Sequence, residues 1–190
     1  MARRNVLKDQ PGNLILIAAM LIMIPYLALG QISFSPPGCD FTVQIPDSAT
    51  VGEYTSANDT CKTRFASLSA HDRSTELSIE CTLCSTYDPA VITQSFAFQA
   101  QRNMAKEMGW EIIAQSFETQ SKMNISYLRA SSRNGGAGIF LQTFFGHQSY
   151  LSVRIEAASE DFAEAFRQTM PILETIDISP TDENAHKRRQ

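Results

Sequence analysis

The sequence predicts an α+β fold, a mostly antiparallel sheet of about seven strands with helices packed on it. Three observations lead there. Seven runs alternate apolar and polar residues with the period of a strand. Two longer runs carry apolar stripes at helical spacing. The order is three strands, a helix, four strands, a helix, and hairpin-length connections dominate, which favours antiparallel pairing. A length of 190 residues allows one ordinary domain plus a short appendage, and 43% hydrophobic residues are enough for a real core.

The chain opens with an address. Arg3, Arg4 and Lys8 precede residues 14–24, which are wholly apolar (LILIAAMLIMI). Pro25 follows, then Ala28, Leu29 and Gly30, a small-x-small end that fits a secretory signal cut after Gly30. The alternative is an uncleaved anchor, since no charge occurs between Asn13 and Gly38 and roughly 20 residues can span a bilayer. Either way the body is expected outside the cytoplasm, in the periplasm or cell envelope. It would touch a membrane only through residues 14–29, and only if they stay attached. The expected organisation is a signal peptide or anchor over 1–30, a linker over 31–38, the α+β domain over 39–178 and a polar tail over 179–190. Without its first 30 residues the chain has 13 basic and 19 acidic residues, a balance of −6. Such an acidic body argues against nucleic acid as a partner.

Within the body, Phe41, Val43 and Ile45 alternate in a strand over 40–45 that Pro46 ends. Residues 47–59 are polar and small, and read as a loop. Strands over 60–69 and 75–84 flank His71-Asp72-Arg73-Ser74, a tight turn. A turn centred on Asp72 and Arg73 sets Cys61 opposite Cys84 on the polar face, and Ala66 opposite Ile79 and Leu68 opposite Leu77 on the apolar face. This register favours a Cys61–Cys84 disulfide. Cys39 and Cys81 remain; both have core-facing parity and can join only if the first strand passes near the third. Four cysteines allow three connectivities, and their number suits an oxidising compartment.

A helix over 88–108 has Asp88 as N-cap, Pro89 in its first turn and Gly109 as its stop. Ala90, Ala97, Ala100, Met104 and Met108 form its apolar stripe, flanked by Phe96 and Phe98. Ser95, Gln99, Arg102 and Lys106 face water. Strands follow over 110–118, with Trp110, Ile112 and Ala114 on one side, and over 123–130, with Met123, Ile125 and Tyr127 alternating. The strand over 139–145 is apolar on both faces, as a central strand would be. Leu151, Val153 and Ile155 alternate in the strand over 150–157. Ser159 can cap a last helix with the stripe Phe162, Phe166, Thr169, Leu173 and Ile176, kinked or broken by Pro171 near Thr169.

The run Phe41-Thr42-Val43-Gln44-Ile45-Pro46, the long helix closed by Gly109-Trp110-Glu111-Ile112-Ile113, the antiparallel strands to Ala157 and the helix from Ser159 to Ile176 resemble the family of the photosystem II subunit PsbP and the Mog-type Ran-binding proteins, with small bacterial exported members. The likeness spans residues 39–178. It implies an α/β/α sandwich and a role in binding or assembling other proteins, with no enzymatic activity. The four cysteines depart from the family pattern.

Residues with possible chemistry have plainer explanations. Cys81-Thr82-Leu83-Cys84 has the spacing of a thiol–disulfide enzyme, but it ends a strand and does not open a helix, and its sulfurs face opposite ways. A zinc site would need a second close pair of ligands. His71 and His147 fall in turns and His186 in the tail, away from any nucleophile setting. Gly135, Gly136 and Gly138 join two strands and so suit a hairpin better than a phosphate cradle. Asn58 and Asn124 begin glycosylation-like triplets that carry no meaning in a bacterial host. Met104 and Met108 suit a core, and the dispersed acids lack calcium-loop spacing. The expectation is therefore an exported, disulfide-bonded module without catalytic centre, cofactor or metal, which binds a protein partner of the envelope. A Cys81/Cys84 thiol–disulfide oxidoreductase and a small-ligand carrier are the alternatives.

Overall fold

The computed structural model describes residues 30–56, 60–69, 75–120 and 123–178. The leader, the tail with His186, the turn carrying His71, and Asn58 lie outside the described residues. A seven-stranded antiparallel sheet runs in the order β3-β4-β5-β9-β8-β7-β6. Its strands are β3 (Thr50–Thr55), β4 (Cys61–Ser69), β5 (Thr75–Cys84), β6 (Trp110–Gln120), β7 (Met123–Ser132), β8 (Ala137–Phe145) and β9 (Ser149–Ala158). A small sheet of β1 (Gln31–Phe34), β2 (Phe41–Pro46) and β10 (Asp177–Ile178) has β2 in its middle. Helix α1 (Gln94–Met108) packs chiefly on β6 and β7, and α2 (Phe162–Leu173) packs on β9, β2, β5 and β8. The architecture is an α+β sandwich.

Strand parity sends Leu77, Ile79, Cys81, Leu151, Val153 and Ile155 to one face, where registers pair Leu77 with Ile155, Ile79 with Val153 and Cys81 with Leu151. There they meet Phe41, Val43 and Ile45 of β2, all almost wholly buried. Each such aliphatic side chain contributes roughly 1.5–3 kcal/mol by leaving water. Phe166 of α2 adds an edge-on contact with Phe140, ring centroids 4.9 Å apart. The opposite face of β7 and β8 presents Leu128, Ala130, Ile139 and Leu141 to Ala105 and Trp110. Strand β8 is thus apolar on both sides, next to the central β9.

Both disulfides grip β5. Cys39 joins Cys81 with Cα atoms 6.3 Å apart and pins the small sheet to the large one. Cys61 joins Cys84, directly opposite across β4 and β5, with Cα atoms 4.0 Å apart. Beside the first bridge, Asp40 is buried, and its Oδ2 accepts from Gln148 N (2.7 Å), Ser149 N (2.9 Å) and Ser149 Oγ (3.1 Å). This clamps the β8–β9 turn, and the carboxylate presses so close to Gly146 that a Cβ there would collide with it.

Several expectations change. The stretch read as a linker supplies β1, which pairs with β2. The stretch read as a loop over 47–59 contains β3, whose residues are nearly all exposed. The strand predicted over 40–45 lies in the small sheet, and β3 takes its place among the seven. The long helix is two pieces. Asp88 caps a 3₁₀ turn, Pro89–Val91, by accepting from Ala90 N (2.9 Å), and Thr93 caps α1 by accepting from Phe96 N (3.3 Å). The interruption lets Ile92 turn inward and become buried. The inward stripe of α1 is Ala97, Gln101 and Ala105; Ala90, Ala100 and Met108 are exposed. Gly109 does end the helix, in the left-handed region at φ 70°.

Strand β6 carries a bulge at Ile113, so the register shifts and the half-buried residues after it are Gln115 and Phe117, not Ile112 and Ala114. Helix α2 starts after Asp161, while Ser159 Oγ donates to Gly135 O (2.6 Å). The helix runs through Pro171 to Leu173, because a proline so near the C-terminus removes little of the hydrogen-bond ladder.

Candidate functional site

The two faces of the large sheet are covered unequally. On the α1 side the helix shields β6 and β7, and the 3₁₀ turn lies toward β8 and β9. Between them lies a groove with a cavity volume of about 510 Å³. Residues on both sides of the break at Ile92 line it. Asn124 Nδ2 donates to Ile92 O (3.1 Å) and fixes the break to β7. One wall and the lip are apolar: Val91, Ile92, Phe96, Ala97, Ala100 and Met104. Val91 and Phe96 are 54% and 49% exposed and lie together on this lip.

The floor is made of hydroxyls set side by side by register. Ser126 lies opposite Thr143, and Thr143 opposite Ser152. Thr143 and Ser152 share a hydrogen bond of 3.3 Å. Tyr87, Phe145 and Tyr150 form an aromatic end. Tyr87 Oη donates to Gly146 O (2.9 Å), and burial, with the Asp40 carboxylate second, pushes its phenol far above the ordinary range. It stays protonated at any physiological pH.

Gln101 is the buried polar side chain of α1, 3% exposed, and it also lines the groove. Its Oε1 accepts from Gln115 Nε2 (2.7 Å), while its own Nε2 is buried without a partner.

The structure does not bring Cys81 and Cys84 together. Cys81 is fully buried under the small sheet, and Cys84 faces the groove; each is bonded to a different cysteine. Among the described residues no group of His, Cys, Asp and Glu is placed to hold a metal ion. His147 is exposed in the β8–β9 turn, and Gly135 makes the β7–β8 turn at φ 69°. Among the described residues no helix is long and apolar enough to cross a membrane. Sequence reasoning did not single out Gln101, Ser126, Thr143 or Ser152. The available signal was Gln101 itself, a polar residue spaced i±4 between Ala97 and Ala105.

A cyanobacterial PsbP domain, CyanoP of Synechocystis sp. PCC 6803, superimposes with a TM-score of 0.56 at 10% identity, over 78% of this chain and 92% of its own. The fold is PsbP-like. LpqN of Mycobacterium tuberculosis, a protein involved in cell envelope biogenesis, aligns at a TM-score of 0.48 and 16% identity over 80% of this chain and 91% of its own. The Saccharomyces cerevisiae Ran-binding protein Mog1p aligns at 0.43 and 10% over 81% and 98%. At these identities the PsbP-like likeness concerns the fold alone. No protein-family model matches the chain, and no curated protein matches it in sequence.

Proposed function

We propose that this protein is an exported, non-catalytic binding module of the cell envelope, and that its partner protein docks on the lip of the α1 groove. The observation that carries this reading is the exposure of Val91 and Phe96 beside a groove that the helix leaves open. Exposed apolar side chains gathered beside a groove are a common mark of a protein-binding surface. Two disulfides, together with the basic-then-apolar N-terminus, support export, and the PsbP-like fold supports a place among the small bacterial exported proteins of that fold. The groove lining offers hydroxyls and an amide, with no imidazole or free thiol among them to make a nucleophile, which favours binding over catalysis.

The test is capture from envelope extracts with the wild-type protein and with Phe96→Asp. The wild type should retain a partner that the variant loses. Retention of the same proteins by both, or of none by the wild type, would overturn the reading.

A second reading, a small-ligand carrier, draws on the depth of the same groove. Its volume lies within the range of small-molecule sites, and its wall is apolar with a few convergent polar groups.

A further inference from the structure

We infer that the Cys61–Cys84 disulfide is a site of reversible exchange with an external thiol, and that the incoming sulfur attaches to Cys84 from the α1 groove. This chemistry goes beyond the binding reading and does not depend on it. The reagent is a thiol that can enter the groove, and a dithiol completes the reduction.

The two bridges offer an attacking thiolate different prospects. Exchange needs a reachable sulfur and a leaving thiolate that its surroundings tolerate. Cys81 is wholly buried in the apolar core, opposite Leu151. It is out of reach, and attack on Cys39 would release the Cys81 thiolate among hydrocarbon, where burial disfavours charge. Cys61 and Cys84 are both half-buried. Strand parity puts Cys84 on the sheet face opposite to that of Cys81, and there it lines the groove. The bond crosses from β4 to β5, and β9 is the next strand along. An approach in line behind Cys84 therefore comes from the β9 side, where Tyr150 and Ser152 also line the groove. The departing Cys61 sulfur already accepts a hydrogen bond from Thr60 Oγ1 (3.8 Å), which stabilises a thiolate there.

In the exchange, the thiolate adds to Cys84 Sγ as the bond to Cys61 breaks. Cys61 leaves with the electron pair and takes a proton from water. The second thiolate of a dithiol then displaces Cys84 from the mixed disulfide, and Cys84 is protonated in turn. The dithiol ends as a disulfide, and its electron pair now resides on the two protein thiols. The ladder from Lys62–Leu83 to Ser69–Glu76 still pairs β4 with β5, and Ser85 N still donates to Thr60 O (2.9 Å), so the sheet outlasts the bridge.

The test uses the full chain with both disulfides formed and no denaturant. The protein is exposed to dithiothreitol for increasing times, quenched with iodoacetamide and mapped by peptide mass. Cys61 and Cys84 should become alkylated about tenfold faster than Cys39 and Cys81, at a rate proportional to dithiothreitol concentration. With the monothiol 2-mercaptoethanol, the trapped adduct should sit on Cys84 and the alkyl group on Cys61. Equal or faster opening of Cys39–Cys81 would overturn the inference. An opening rate independent of thiol concentration would do the same, because the protein would then be unfolding first, and so would an adduct found on Cys61. All these readings come from the unaltered chain, so no variant has to fold. The experiment contains no partner protein, and its failure is separate from failure of the envelope capture.

Discussion

The two faces of the large sheet have opposite characters. The face under β2 and α2 is filled by branched aliphatic and aromatic side chains and is locked by the Cys39–Cys81 bridge. The face under α1 is apolar only beneath the helix and becomes a row of small hydroxyls where the helix ends. The first face is closely packed. The second keeps a groove at the cost of some buried area. One side of the sheet therefore carries most of the packing, and the other carries the groove.

The comparison predicts unequal responses. Cys39→Ala with Cys81→Ala opens a loop closed over a sequence separation of 42 and should cost about 4 kcal/mol in urea unfolding. Cys61→Ala with Cys84→Ala, at a separation of 23, should cost about 3 kcal/mol. Equal or reversed losses would show that loop length does not set the two contributions. Next, Ile155→Ala on the filled face should cost about 3 kcal/mol, whereas Thr143→Val in the groove should cost about 1 kcal/mol or less. A large loss from Thr143→Val would make the groove floor part of the structural core.

The smallest effect concerns Tyr87. Its phenol is raised above the ordinary 10.0 in the folded protein, mainly by burial. Below that pH both states are protonated and the group adds no pH dependence. Above it the unfolded chain ionises first, so stability falls as pH rises. Tyr87→Phe should lose about 1 kcal/mol at neutral pH with the Gly146 hydrogen bond, and should show a shallower alkaline decline in a thermal-melt series.

Much of the filled face was legible. The β4–β5 register follows from one turn and from parity, and Cys61–Cys84, Ala66–Ile79 and Leu68–Leu77 stand opposite as expected. Edge elements were not legible for a physical reason. Strand β3 is wet on nearly every side chain, so no alternation of burial marks it, and β1 is short with one buried residue. The split of the long helix was ambiguous because Asp88 and Thr93 are both competent caps. Burial of Ile92, a tertiary effect, decides between them. The groove draws on β5, β7, β8, β9 and α1, segments far apart in the chain, so no local motif announces it. A period read from apolar residues alone also passes over Gln101.

The extra residue at Ile113 has a consequence beyond its own strand. A long outermost ribbon with bare amide and carbonyl groups invites a second molecule to extend it, and copies so joined make a fibre. By twisting β6 and leaving Ile113 without an opposite number, the irregularity spoils the straight row such a neighbour would need. At the far side, Glu53 on β3 is held by Lys62 and Arg64, which sets charge along that border. Both borders of the large sheet thus carry features that oppose edge-to-edge pairing of copies.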